Sequence, residues 1–429
     1  MSATFLGIDV GTSGIRACLI DAKGRTLAGA HTGLPEPLRN EAAVEQDPVL
    51  WWQALERVLD ELSGRQTLAS VAALAIDGTS ATLLACDSHG EPLARALMYN
   101  DRRAQSEAAR IAAIAPTSCA AHGAHSSLAK ALWFMDRTPT AAARHLLHQA
   151  DWLAGRLTGQ FGYSDENNAL KLGYDPVERA WPTWIGKLGL NQAVLPQVKA
   201  PGTPVGPLLP EWALRWRMPG AQVVAGTTDS TAAFLATGAQ RIGQAVTSLG
   251  STLVLKILAD VPVFAPDYGV YSHRLGERWL VGGASNSGGA VLRQFFSESE
   301  LKALQARLQP DLPTGLNYYP LPAAGERFPV NDPQCLPRMT PRPPDDAHFL
   351  QGLLEGIADI EQRGYALLHE LGAPYPIEVL SSGGGAGNAP WRELRARRLG
   401  VPVTMAAHQE AAYGAALLAR RASLTGAPE

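Results

Sequence analysis

The chain holds 429 residues, 46% of them hydrophobic, with 37 basic against 40 acidic side chains and a formal net charge of −3. That length allows two or three domains with real cores, and the near-balance of charge excludes a surface that grips nucleic acid or anionic lipid by charge alone. Four scattered cysteines, Cys18, Cys86, Cys119 and Cys335, form no C-x-x-C pair, which excludes a disulfide framework and a zinc knuckle. The start, MSATFLGIDVG, has neither a basic opening nor an apolar core of a signal peptide, and no stretch reaches the roughly 18 apolar residues of a membrane helix. A cytoplasmic globular enzyme or binding protein is expected, with no nucleic-acid and no membrane partner. A homodimer is compatible with the sequence and not readable from it.

In chain order, Thr4–Val10 is apolar and β-rich, Gly11–Gly14 is a turn, and Ile15–Asp21 is apolar again. Asp21-Ala-Lys-Gly24 makes a second turn before Thr26–His31, so a three-stranded meander is predicted. Pro48–Ser63 places Val49, Trp52, Leu55, Val58, Leu59 and Leu62 near a 3.6-residue period, with Asp47 as N-cap. Val71–Ile76 reads as a short buried strand running into Asp77-Gly-Thr-Ser80, and Thr82–Asp87 as another. Strand and helix signals go on alternating, which argues for an α/β architecture. Pro201–Pro219 and Pro310–Pro344 are rich in proline and glycine, the second predicted as a long irregular surface connection. Ala245–Leu258 repeats the strand, small-residue turn, strand form of Phe5–Ile20, which hints at two similarly built halves.

Three segments carry chemistry. In Gly7-Ile-Asp9-Val-Gly11-Thr12-Ser13-Gly14 a carboxylate ends a strand and a turn of glycine and hydroxyl residues follows. Such a turn brings N–H and O–H donors to an anion, and the carboxylate can hold Mg²⁺; an ordinary hairpin also accounts for it. Ser381-Ser-Gly383-Gly384-Gly385-Ala386-Gly387-Asn388 lies between a strand, Ile377–Leu380, and a helical Trp391–Leu399, an arrangement that suits a nucleotide or a bare turn. In Gly226-Thr-Thr-Asp229-Ser230, Asp229 is either a helix cap or a general base for a hydroxyl proton.

Other routes close. No G-x-x-x-x-G-K-[ST] occurs, since Gly186-Lys187 is followed by Leu188. The dinucleotide fingerprint fails because Asn388 stands three residues after Gly385 and Pro390 three after Gly387. His122-x-x-His125 and His145-x-x-His148 lack a third ligand and are predicted on a helix surface or in a loop. No G-x-S-x-G elbow exists.

Together and in this order the segments resemble the FGGY carbohydrate kinases of the actin/hexokinase/Hsp70 superfamily. FLGIDVGTSGIRACLIDAKG is similar to that family's first phosphate motif, AVTSLGSTLVL to its second, and VLSSGGGAGNAPWRELRARRLGVPV to its adenosine motif. Ser127-Leu-Ala-Lys130-Ala-Leu-Trp133 is similar to an internal S-x-x-K-x-x-W signature. The resemblance implies two ribonuclease H-like α/β domains, 1–238 and 239–429, with a catalytic cleft between them whose closure keeps water from the reaction. It implies ATP as co-substrate and Mg²⁺ as metal. Asp9 would help hold Mg²⁺, and Gly11, Thr12, Ser13 and Gly14 would cradle the transferring phosphate. Gly250, Ser251 and Thr252 would hold phosphates, while Gly384, Gly385, Asn388 and Trp391 would surround the adenine. Asp229 stands where the family keeps its catalytic base.

The acceptor it implies is a small sugar. Xylulose kinases carry a Gln-Met-His-Gly loop after the strand that corresponds to Val71–Ile76, and here Asp77-Gly-Thr-Ser80 replaces it. Asp-Gly-Thr-Ser is similar to a small D-ribulose kinase group, which puts D-ribulose ahead of D-xylulose. Ser80, Asp9 and Asp229 would line the sugar site, with Asp101 of Tyr99-Asn100-Asp101-Arg102 as a further candidate. Glycerol or a tetrulose as acceptor, and a nucleotide-switched binding ATPase on the same fold, are the alternatives.

Overall fold

The computed structural model describes residues 2–137 and 142–425. The chain divides into two compact units. The first comprises Met1–Ala236, His273–Gly276 and Glu410–Glu429, the second Thr237–Ser272 and Glu277–Gln409. Each is an α/β domain with a central six-stranded sheet flanked by helices, the ribonuclease H-like class.

In the first unit the predicted meander forms as β1 (Thr4–Val10), β2 (Gly14–Asp21) and β3 (Thr26–Gly33), paired antiparallel. The strands β4 (Val71–Gly78), β5 (Pro204–Pro207) and β6 (Gln222–Thr228) complete the sheet in the order β5-β6-β4-β1-β2-β3. β1, β4 and β6 are mutually parallel, so their carboxyl ends lie along one edge. Side chains alternate between the two faces. Leu6, Ile8, Leu74 and Ile76 join a core with Trp51, Leu55, Val58 and Leu62 of the helix Pro48–Arg65. Phe5, Ala73 and Ala75 join another with Tyr413, Ala415 and Ala416 of the last helix, Ala411–Thr425. That helix lies within the C-terminal half of the sequence, yet it packs in the first unit. Asp47 caps the Pro48 helix as predicted, its carboxylate accepting from Val49 N at 3.0 Å.

In the second unit β7 (Gln244–Leu249) and β8 (Leu253–Ala259) form an antiparallel hairpin around Gly250–Thr252. With β9 (Tyr271–Leu275, of which only Tyr271 and Ser272 fall in the second unit), β10 (Arg278–Ser285), β11 (Glu378–Ser382) and β12 (Val403–Met405) the order is β9-β10-β8-β7-β11-β12. The echo noted in the sequence is a topological one. β4-β1-β2-β3 and β11-β7-β8-β10 have the same pairing sense, parallel once and then antiparallel twice.

Two local expectations need correction. Pro310–Pro344 is irregular, but it is not merely a surface connection: Tyr318, Tyr319, Leu321 and Phe328 are buried in the second core. The glycines of neighbouring elements admit it, since a Cβ on Gly283 would stand 2.5 Å from the Phe328 ring. His145–His148 is neither helix surface nor loop but the edge strand of a separate five-stranded sheet, paired with Leu83–Cys86. His148 is fully buried there between Ser127 Oγ at 2.9 Å and Asp151 Oδ2 at 3.0 Å. No helix among the described residues is long and apolar enough to cross a membrane.

Candidate active site

The edge formed by the carboxyl ends of β1, β4 and β6 gathers three carboxylates. The register sets Asp9 against Asp77 and Thr227 against Asp77, and Asp229 opens the helix Asp229–Ala236 directly after β6. Ends of parallel strands are where α/β sheets bind ligands. Gly226 makes this approach feasible, because a Cβ there would lie 1.7 Å from Ile76 O. The register shift between Val224 and Thr227 then carries the strand end past β4. Asp229 Oδ1 accepts from Ser230 N at 2.6 Å, and the helix behind it is seated on the last helix where Gly414 meets Ala232 O.

Asp77 is fully buried, and neither of its oxygens has a hydrogen-bond partner of good geometry. Burial first, then the negative charges of Asp9 and Asp229, hold its pKa well above the usual carboxylate value. Burial also raises Asp9, against the lowering contacts of Asp77 and of Arg16, whose Nη1 lies 3.3 Å from Asp9 Oδ2. Such a group is short of positive charge. Mg²⁺ fits it, since that ion takes one or two carboxylates and completes its shell with water and phosphate oxygens. Among the described residues no group of three or more His, Cys, Asp or Glu side chains is placed to hold a metal ion by itself. The role of Asp77 as the middle carboxylate was missed in the sequence, where it marked only the head of a loop.

That loop is firmly tied. Gln149 Oε1 accepts from Thr79 N at 3.1 Å and Thr79 Oγ1 at 3.0 Å, and Thr79 Oγ1 lies 2.6 Å from Thr82 Oγ1. Thr82 Oγ1 accepts from Tyr99 N at 3.0 Å. Thr79, Ala81 and Thr82 are buried, whereas Ser80 is partly exposed. Asp101 is placed otherwise. It is fully buried, with Oδ2 accepting from Val44 N at 2.7 Å and from Arg103 Nη2 at 2.7 Å, and Oδ1 from Arg103 N at 3.1 Å. Its oxygens are occupied in holding Arg103 and the strand Ala43–Gln46, and the structure does not bring it into the carboxylate group.

Gly11, Thr12, Ser13 and Gly14 form the tight β1–β2 turn next to Asp9, closed by Gly11 N to Gly14 O at 3.0 Å, with Leu34 N on Ser13 O at 2.9 Å. In the second unit Gly250, Ser251, Gly384, Gly385, Asn388 and Trp391 line one cavity of about 610 Å³, a size that suits a small ligand. Thr252 is not among its lining residues; its backbone packs against Gly288. A Cβ on Gly385 would come within 2.6 Å of the Trp391 ring, so glycine keeps that wall open. The Trp391 indole N–H donates to Leu354 O at 3.2 Å, and Asn388 Oδ1 caps the following helix through Trp391 N at 3.0 Å. Arg293 and Lys302 also line the cavity, and Arg293 Nη2 donates to Ser251 Oγ at 2.8 Å. No sequence signal pointed to these two cations, which outweigh the one carboxylate on the same lining, Glu298, and favour an anionic ligand.

The N-terminal domain model of the FGGY family of carbohydrate kinases matches residues 4–236, and its C-terminal domain model matches residues 245–423. The xylulose kinase of Escherichia coli is 29% identical over 415 residues, covering 91% of this chain and 84% of that protein. The glycerol kinase of Alkalilimnicola ehrlichii is 28% identical over 470 residues, covering 98% and 91%. The crystal structure of a "xyloylose kinase" from Brucella ovis superposes with a TM-score of 0.89 at 26% identity, over 99% of this chain and 91% of that one. With both family domains matched in order along nearly its whole length, the chain belongs to the FGGY family of carbohydrate kinases.

Proposed function

We propose that this kinase transfers the γ-phosphoryl group of ATP to the terminal C5 hydroxyl of a ketopentose, D-ribulose ahead of D-xylulose. The observation that carries this reading is Asp229 standing at the strand edge with Asp77 and Asp9. Phosphoryl transfer passes through a loose, charge-rich transition state, so positioning and electrostatics dominate. Asp229 takes the hydroxyl proton as the oxygen bonds to phosphorus and ADP departs; an aspartate can do this late in the reaction without a large pKa shift. Asp9, with Asp77 and Asp229 beside it, would hold Mg²⁺, which supplies positive charge to the phosphates. Residues 1–238 would contribute the sugar side and the Gly11–Gly14 phosphate turn. Residues 239–429 would contribute Gly250, Ser251 and Thr252 to the phosphates and Gly384, Gly385, Asn388 and Trp391 to the adenine.

Two observations bear on the acceptor. The Asp77-Gly-Thr-Ser80 loop, with Ser80 partly exposed between buried neighbours, replaces the Gln-Met-His-Gly loop of xylulose kinases and favours D-ribulose. The glycerol kinase that matches 98% of the chain supports a second reading, phosphorylation of a smaller polyol. Enzyme-coupled ADP release across ketopentoses, aldopentoses, pentitols and glycerol separates them. D-ribulose is expected to give the largest kcat/KM. Glycerol in first place would establish the second reading, and ADP release indifferent to every acceptor would overturn both.

A further inference from the structure

Lys130 has no part in the chemistry above, yet it is fully buried on the helix Ser127–Arg137. Its Nζ donates to Ala81 O at 2.7 Å and to His125 O at 3.0 Å. Ala81 carries a φ of 70°, in the left-handed region that a residue with a Cβ disfavours. It follows Ser80 directly. Gln149 and Tyr99 tie Thr79 and Thr82 on either side, Thr82 N donates to Thr79 O across the turn at 3.3 Å, and the Ala81 carbonyl is a further handle on the segment, which Lys130 holds.

We propose that Lys130 is a positioning residue for the sugar: its bond to Ala81 O keeps Ala81 left-handed and so presents Ser80 to a hydroxyl of the acceptor. The proposal rests on the reading of Ser80 as a sugar-side residue. The energetics of the site agree with a specific task for this amine. Burial, together with repulsion from Lys171 and Arg103, brings its pKa down to about 7 against the attraction of Asp101. A buried ammonium in such surroundings is costly, and a leucine or methionine would fill the same space without that cost. What the amine alone provides is N–H donors for two inward-facing carbonyls, and a neutral amine still has one for each.

Steady-state kinetics with sugar and ATP varied separately tests this, on the full chain with Lys130→Met and Lys130→Gln. Lys130→Met is expected to raise the sugar KM about tenfold or more and to leave the ATP KM within about twofold. Lys130→Gln, which keeps a donor on a shorter stem, should fall between it and the wild type, and it carries the test if the methionine variant fails to fold. Sugar and ATP KM rising together, as general loosening would give, or a sugar KM unchanged within about twofold, overturns the proposal. Hydrogen exchange without substrate keeps this outcome separate from failure of the kinase reading. Faster exchange at the Ala81 and Thr82 amides in Lys130→Met, with the second unit unchanged, supports the clamp even where no sugar stimulates the wild type; unchanged exchange there removes it.

Discussion

Asp229→Asn is expected to slow phosphoryl transfer by about 10²–10⁴-fold, the range a positioned general base contributes, while ATP binding changes little. The substitution isolates chemistry from structure. The carboxylate accepts from Ser230 N at 2.6 Å, and an asparagine carbonyl oxygen can keep that bond, so the helix start survives. The helix itself is held elsewhere, by the contact of Gly414 on Ala232 O. What the amide cannot do is accept the acceptor's hydroxyl proton. It also removes one of the negative charges that raise the Asp77 pKa, so the group should hold a cation less well. Pre-steady-state transfer and nucleotide binding, measured on the same preparation, check this. Normal turnover would reduce Asp229 to a helix-terminal residue.

Arg395→Met is expected to destabilise the second unit by about 3–5 kcal/mol, the cost of leaving a buried charge unpaired. Arg395 and Glu361 are both fully buried, joined through Arg395 Nε to Glu361 Oε2 at 2.6 Å and Nη2 to Oε1 at 2.7 Å. Arg395 Nη1 also donates to Ser381 Oγ at 2.7 Å, and Glu361 Oε1 accepts from Thr247 Oγ1 at 2.5 Å. The network therefore ties β7 to β11, the strands that lead into Gly250–Thr252 and into the glycine run. The Arg395 guanidinium also lies 5.9 Å from the Trp391 ring. In a domain of this size the loss amounts to a fall in Tm of roughly 10 °C or more. Adding Glu361→Leu should recover much of it, because two apolar groups replace two desolvated charges. A melting point within about 2 °C of wild type would show that the pair is not holding the strands.

Much of the frame was legible because local signals and burial agree there. The Gly11–Gly14 turn, the Asp47-capped helix and the glycine run before the Ala389–Leu399 helix are short-range features, each set by turn chemistry, a cap or a period. The gathering of Asp9, Asp77 and Asp229 was only partly legible. All three end or follow apolar strands; Asp9 and Asp229 stood out by the glycine and hydroxyl residues around them, whereas Asp77 acquires its role from the insertion of β4 between β1 and β6, a matter of sheet order that no local pattern encodes. Asp101 illustrates the converse. Its place in Tyr99–Arg102 suggested a sugar contact; its bond from Arg103 is local, while its bond from Val44 N joins residues that only folding brings together. The Pro310–Pro344 stretch and His148 were misplaced for a related reason, since proline-rich or polar surroundings in sequence say little about which side chains a neighbouring glycine or serine admits. Lys130 was visible as part of a signature, but the strained carbonyl it holds was not.

The central claim is that the phosphoryl group of ATP reaches the C5 hydroxyl of a ketopentose. Phosphorus-coupled proton NMR of the product formed from ATP and D-ribulose tests it most directly. The account predicts a phosphate coupled to the C5 protons, formed by the wild type and barely detectable with Asp229→Asn. A phosphate on another carbon, or inorganic phosphate alone whatever sugar is supplied, would contradict it.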